Sequence, residues 1–161
     1  MAALPQARAQ RVGTSDAMAP ADPWWFVHPL LGTLVLIGVM TNLWLGQRIT
    51  AAATDAAVAA RLRKWHIRLG ATLALGGPLV LLAGVRGIAA AGLPVLGSFH
   101  GFLGVLTAAL LGMVGLTGLL LHRGREAVRP RHRMLARTVG LLLALQLLSG
   151  LGLTSLVLGG G

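Results

Sequence analysis

Four apolar stretches, at residues 25–46, 66–84, 99–121 and 135–158, decide what this chain can fold into. Runs of about 18 or more apolar residues with few charges form membrane-spanning helices, because lipid offers no partner for an unpaired backbone amide or carbonyl. Each run, rising about 1.5 Å per residue, is long enough to cross most or all of a hydrocarbon core of about 30 Å. The composition agrees: 55% of the residues are hydrophobic and only 11% are charged. The expected fold is an all-α, integral-membrane, up-down-up-down four-helix bundle. It occupies residues 23–161, with no room for a soluble catalytic domain. Residues 1–22 are rich in Ala, Pro, Gln and Arg and have no apolar centre. They are expected to form a disordered tail, not a cleaved signal peptide.

The formal net charge of +10 is unevenly placed. Arg48, Arg61, Arg63, Lys64 and Arg68 flank the first connection, and Arg123, Arg125, Arg129, Arg131, Arg133 and Arg137 flank the third. The second connection carries only Arg86 and the N-terminal tail only Arg8 and Arg11. The positive-inside rule then puts the first and third connections in the cytoplasm and both termini outside. Basic residues that sit where topology needs them argue for contact with anionic lipid headgroups and against nucleic acid.

Each apolar stretch opens on or near a histidine: His28, His66, His100 and His132. Four positions on stand Gly32, Gly70, Gly104 and Ala136, and eighteen positions on stand Gly46, Gly84, Gly118 and Gly150. At about 100° per residue, steps of four and eighteen keep these residues on the histidine's own stripe, the first one turn away and the second at the far end. Imidazoles within membrane segments mark functional sites. A repeated imidazole with small residues beside it suits a flat cofactor held between helices, with haem the leading candidate. No cysteine is present, so disulfides, thiolate metal sites and covalent haem attachment are excluded, and any haem is b-type.

Short connections favour antiparallel neighbours, so the first and third helices lie on one diagonal and the second and fourth on the other. Adjacent helices pack at about 8–10 Å, whereas diagonal ones leave space for a macrocycle. The expectation is two bis-histidine sites, His28 with His100 near the outer surface and His66 with His132 near the inner one. The residues at +4 would clear each ligand's own ring, and those at +18 would lie near the site of the other helix pair. Plain close packing of membrane helices is the competing explanation for the small residues. Asp22 and Pro23 are the expected start of the first helix, and Gly76, Gly77 and Pro78 an expected bend in the second. Trp24, Trp25 and Phe26 on one side, and Trp44 and Trp65 on the other, mark the two interfaces.

Other polar groups carry more than one reading. Asn42 and Gln146 each lie fourteen positions after a histidine, placed either to hydrogen-bond a cofactor or ligand, or to bridge helices. Arg68, Arg133 and Arg137 are candidates for haem propionates, although topology alone also accounts for them. His122 lies outside the repeat and is read as an interface side chain, its alternatives being a substitute for His132 or a quinone or proton site. The four acidic residues, Asp16, Asp22, Asp55 and Glu126, all fall outside the apolar stretches, which argues against a cation transporter or proton pump. No hydrolase triad, phosphate loop or zinc motif is present.

The one-histidine-per-helix pattern with diagonal pairing resembles the transmembrane di-haem cytochrome b-561 family over residues 24–158. The strings His-Pro-Leu-Leu-Gly at 28–32, His-Ile-Arg-Leu-Gly at 66–70, His-Gly-Phe-Leu-Gly at 100–104 and Gln-Leu-Leu-Ser-Gly at 146–150 are closer to a bacterial four-helix family catalogued as domain of unknown function 4079. The resemblance implies haem ligation by His28, His66, His100 and His132 and electron passage across the bilayer. It extends to the four-helix core and not to the six-helix ascorbate-using members. The expected function is an electron relay, more than an enzyme, between a quinol, small reductant or partner protein and an acceptor, as a monomer or an oligomer. The alternative is a non-redox accessory or assembly subunit whose histidines bind chlorophyll magnesium or nothing.

Overall fold

The computed structural model describes the backbone of residues 24–52, 54–90 and 94–159, and the side chains of 27–52, 54–89 and 94–152. The tail at 1–22 and the expected helix start at Asp22 and Pro23 lie outside the described residues, as do the side chains of Trp24, Trp25 and Phe26. Four helices carry the chain: α1 (Trp24–Ala51), α2 (Ala56–Ala90), α3 (Phe99–His122) and α4 (Arg129–Gly159), with a single 3₁₀ turn at Glu126–Val128 before α4. All four are long and apolar enough to cross a membrane, and the protein is a multi-pass, all-α bundle.

The helices outrun the apolar stretches. α2 starts ten residues before His66, so most of the Ala-rich segment 47–64 is helix and only a short turn joins α1 to α2. Ala, Arg, Leu and Lys are strong helix formers even where hydropathy is low. Asp55 caps this extension, its carboxylate accepting from the Val58 amide at 3.0 Å. The second connection is likewise short, since α2 continues to Ala90 and α3 begins at Phe99. The helix assignment of α2 runs unbroken through Pro78. Ser98 caps α3 by accepting from the Gly101 amide at 3.0 Å. Gly101 is needed there because a Cβ would collide with the backbone carbonyl of Val95. At the far end of α3 the chain reverses through Gly124, whose φ of +82° favours a residue without a Cβ.

α1 packs on α2 and α4, and α3 packs on α2 and α4, while neither α1 with α3 nor α2 with α4 makes backbone contact among the described residues. Neighbours run antiparallel, as shown between α1 and α2 by Gly46 against His66 and Gly84 against His28. Between α1 and α4, Leu43 reaches Gly140 and Thr50 accepts from Arg133 at 3.4 Å. The diagonals are therefore α1/α3 and α2/α4. Val39, Leu73, Leu111 and Val139, one from each helix, form a single apolar layer at mid-bundle. Most other large apolar side chains face outward, among them Leu75, Leu79, Leu141 and Leu148. A lipid solvent explains this inversion, since van der Waals packing of small residues, not burial of apolar area, holds membrane helices together. Trp44 and Trp65 are exposed near the Arg-rich end, and the Arg48 guanidinium lies 5.2 Å from the Trp44 ring centre.

Candidate functional site

The antiparallel register puts two histidines at each end of the bundle. His28 on α1 faces His100 on α3 with ring centres 6.0 Å apart and planes at 85°. His66 on α2 faces His132 on α4 at 6.3 Å and 83°. Each pair crosses a diagonal. The two levels are separated by eighteen helical residues, about 27 Å along the axis. One pair sits at the Arg-rich end and the other at the opposite end.

All four rings are held the same way. His28 Nδ1 donates to the Val80 carbonyl at 3.2 Å, and His66 Nδ1 donates to the Asn42 carbonyl at 3.0 Å. His100 Nδ1 meets Ser149 Oγ at 3.0 Å, and that hydroxyl donates to the Gln146 carbonyl at 2.9 Å. His132 Nδ1 meets Thr117 Oγ1 at 3.1 Å, and that hydroxyl donates to the carbonyls of Met113 and Val114 at 2.9 and 3.0 Å. A carbonyl only accepts, so Nδ1 of His28 and His66 carries the proton and leaves Nε2 with a free lone pair. At His100 and His132 the same tautomer holds when the Ser149 and Thr117 hydroxyls keep their protons on the carbonyls of their own helices. In each case the anchor is the carbonyl fourteen residues after the histidine of the neighbouring helix, reached directly from α1 and α2 and through a hydroxyl from α3 and α4.

The glycines at +18 have a sharper role than clearance for a distant cofactor. Each lies against the imidazole of its antiparallel neighbour: Gly84 against His28, Gly46 against His66, Gly150 against His100 and Gly118 against His132. A Cβ at these positions would come within 2.7, 3.4, 3.0 and 3.4 Å of the respective ring carbon. The +4 positions divide. Gly70 and Gly104 are notches filled by the amides of Asn42 and Gln146, where a Cβ would lie 3.1 and 2.9 Å from the amide nitrogen. Gly32 has nothing within 4 Å of a Cβ position. Ala136 joins Gly70, His66, His132 and Asn42 around a cavity of about 40 Å³ that residues of all four helices line. The space between the helices there is small and partly open.

Pairing His28 with His132, Asn42 with Gln146 and Gly46 with Gly150 relates α1 to α4. Pairing His66 with His100, Gly70 with Gly104, Val80 with Val114 and Gly84 with Gly118 relates α2 to α3. α1 and α4 run in opposite directions, so this pseudo-twofold lies across the bundle and exchanges its two ends. Each end then has two imidazoles, one amide in a glycine notch and two glycines against the rings. Among the described residues, two buried side-chain polar atoms lack a partner, Asn42 Oδ1, whose residue lines the His66–His132 cavity, and Thr107 Oγ1, two turns along α3 from His100.

The donor set tests what fits. No group of three metal-ligating side chains comes together among the described residues, so a closed zinc site of the four-ligand kind has too few donors. Two opposed imidazoles suit a metal that brings its equatorial ligands with it. Two metal–nitrogen bonds of about 2.0 Å, with about 1.1 Å from nitrogen to ring centre on each side, span about 6.2 Å. The observed separations of 6.0 and 6.3 Å match that span. Ring planes at right angles are compatible with axial ligation from opposite sides.

Of the remaining candidates, Arg133 turns to Thr50 on α1, and Arg68 and Arg137 are exposed. His122 is exposed as the last residue of α3, and neither histidine pair includes it. Thr117 and Ser149 escape a search for ligands, but both stand seventeen positions after a histidine, next to the +18 glycine. No family model, curated protein or solved structure matches the chain.

Proposed function

We propose that the protein is a transmembrane electron-transfer relay that holds two b-type haems, one ligated by His28 and His100 and one by His66 and His132. What carries this reading is the duplicated pair of imidazoles at metal-spanning distance, each with Nδ1 tied off and Nε2 left to ligate. Metal-ligating histidines are oriented in this way, by a hydrogen bond from the other ring nitrogen. Haem iron with two imidazole ligands is a one-electron carrier with no open coordination position for oxygen or substrate. Magnesium in chlorophyll takes one axial ligand, so two imidazoles at each end favour iron over the accessory-subunit reading. The cytochrome b-561-like and bacterial four-helix resemblances agree in ligands and topology.

The chain's own residues do the positioning. Val80, Asn42, Gln146 and Val114 supply the carbonyls that fix each imidazole, the last two through Ser149 and Thr117. The +18 glycines let each ring come close against the neighbouring helix. The Val39–Leu73–Leu111–Val139 layer keeps water from the space between the ends. The Arg-rich end faces the cytoplasm and both termini face outward. Donor and acceptor belong to classes that reach a haem edge near either surface, namely a quinol, a small reductant or a partner protein.

Vesicles containing the purified protein and trapped ferricyanide test the relay. With dithionite outside, the trapped ferricyanide bleaches at a rate proportional to protein content, and vesicles carrying a His66→Ala, His132→Ala chain bleach at the protein-free rate. Haem-loaded protein that bleaches ferricyanide no faster than empty vesicles would overturn the relay while leaving haem binding intact.

A further inference from the structure

At the Arg-rich end, α1, α2 and α4 leave an open corner that the histidine pairs do not use. Ile49 and Thr50 from the end of α1, Ala56, Ala59, Ala60 and Arg63 from the start of α2, and Arg129 and Arg133 from the start of α4 line a cavity of about 500 Å³. Arg129 is held by Glu126 and Arg133 by the Thr50 hydroxyl, and Asp55 is committed to the Val58 amide. Three guanidinium groups thus share a cavity in which one carboxylate offsets one of them. α4 begins in its wall at Arg129 and its N-terminus adds positive potential, whereas the start of α2 is already capped by the Asp55 carboxylate.

We infer that this corner is a specific site for a phosphate group, and that the phosphate belongs to an anionic phospholipid. Guanidinium forks match phosphate oxygens in geometry as well as charge. The lining is two-natured, which selects the source. Arg63, Arg129, Arg133 and Thr50 surround a headgroup, while Ala56, Ala59, Ala60 and Ile49 offer the small apolar wall that glycerol and the first acyl carbons need. Basic pockets between membrane helices take lipid headgroups in this way. The corner brings the end of α1 and the start of α2 against the start of α4, so a bound lipid would join the two halves of the bundle.

Native mass spectrometry of the full chain, titrated with phosphatidylglycerol, phosphatidylcholine and inorganic phosphate, tests the site. One phosphatidylglycerol is expected to stay bound per chain, and phosphatidylcholine to bind more weakly. The double variant Arg63→Gln, Arg133→Gln is expected to weaken phosphatidylglycerol by about thirtyfold. The charge-matched Arg123→Gln, Arg125→Gln at the same end is expected to change it less than about threefold. Circular dichroism checks the fold of both, and Thr50→Val gives a weaker loss without altering charge. Equal losses in the two double variants would overturn the site in favour of diffuse attraction. Inorganic phosphate that binds alone, with the same dependence on Arg63 and Arg133, and displaces the lipid at equal concentration would overturn the lipid as its source. None of these readouts requires haem, so the site stands or falls apart from the relay.

Discussion

Replacing either His66 or His132 with alanine is expected to remove the proposed haem at the Arg-rich end and leave the other in place, and replacing His28 or His100 to do the reverse. Each single variant therefore keeps about half of the haem absorbance. The expectation follows from the diagonal geometry: the pairs are 6.0 and 6.3 Å across, while the two ends are about 27 Å apart. Haem quantitation on the four single variants checks it, together with His28→Ala, His66→Ala, which is expected to bind none. If His28→Ala, His66→Ala lost only one haem while His28→Ala, His100→Ala lost both, the ligands would be paired along the sides of the bundle and not across it.

The second large effect separates the two ends by steric margin. A Cβ at Gly84 or Gly150 would lie 2.7 or 3.0 Å from a ring carbon of His28 or His100. At Gly46 and Gly118 the corresponding approach is 3.4 Å, close to ordinary contact. Overpacking costs about 1–3 kcal/mol where the neighbour has to move. Here the neighbour is an imidazole whose Nδ1 is fixed on a backbone carbonyl or a serine hydroxyl, so it moves at the expense of its alignment. Gly84→Ala and Gly150→Ala are expected to weaken haem binding at the His28–His100 end by about 10–100-fold, and Gly46→Ala and Gly118→Ala to leave the His66–His132 end within about threefold. Titration of haem into apo-protein reads both ends. Equal weakening by all four substitutions would mean that the glycines serve helix packing in general and not the rings.

Much of the fold is legible in the sequence because lipid imposes it. Four apolar runs have to be helices, short connections make neighbours antiparallel, and antiparallel order decides which histidines share a level and a diagonal. Helix ends are less legible. Residues 56–65 are too polar to register in hydropathy, yet Ala, Arg and Leu propagate α2 there and Asp55 caps it. The fourfold recurrence of glycine at +18 is plain in the chain, but its meaning is not. Periodicity places a residue on its own helix and says nothing of which neighbour's side chain reaches it.

The hydroxyls are the least legible part of the site. Thr33, Thr50, Thr72 and Thr138 all bond the carbonyl four residues earlier, the habit of hydroxyls inside helices. Thr117 and Ser149 look no different in sequence and also bond back to their own helices. Only the antiparallel neighbour, which brings His132 and His100 onto them, turns that habit into a rule for where the imidazole proton sits. Asn42 and Gln146 likewise acquire a place only when Gly70 and Gly104 open a notch opposite them.

Counting haem in the purified full-length protein tests the central claim most directly. Protein from haem-replete cells, assayed by pyridine haemochrome and by its reduced-minus-oxidised spectrum, is expected to carry two b-type haems per chain, both low-spin and six-coordinate. A folded, colourless preparation that also takes up no added haem would contradict it.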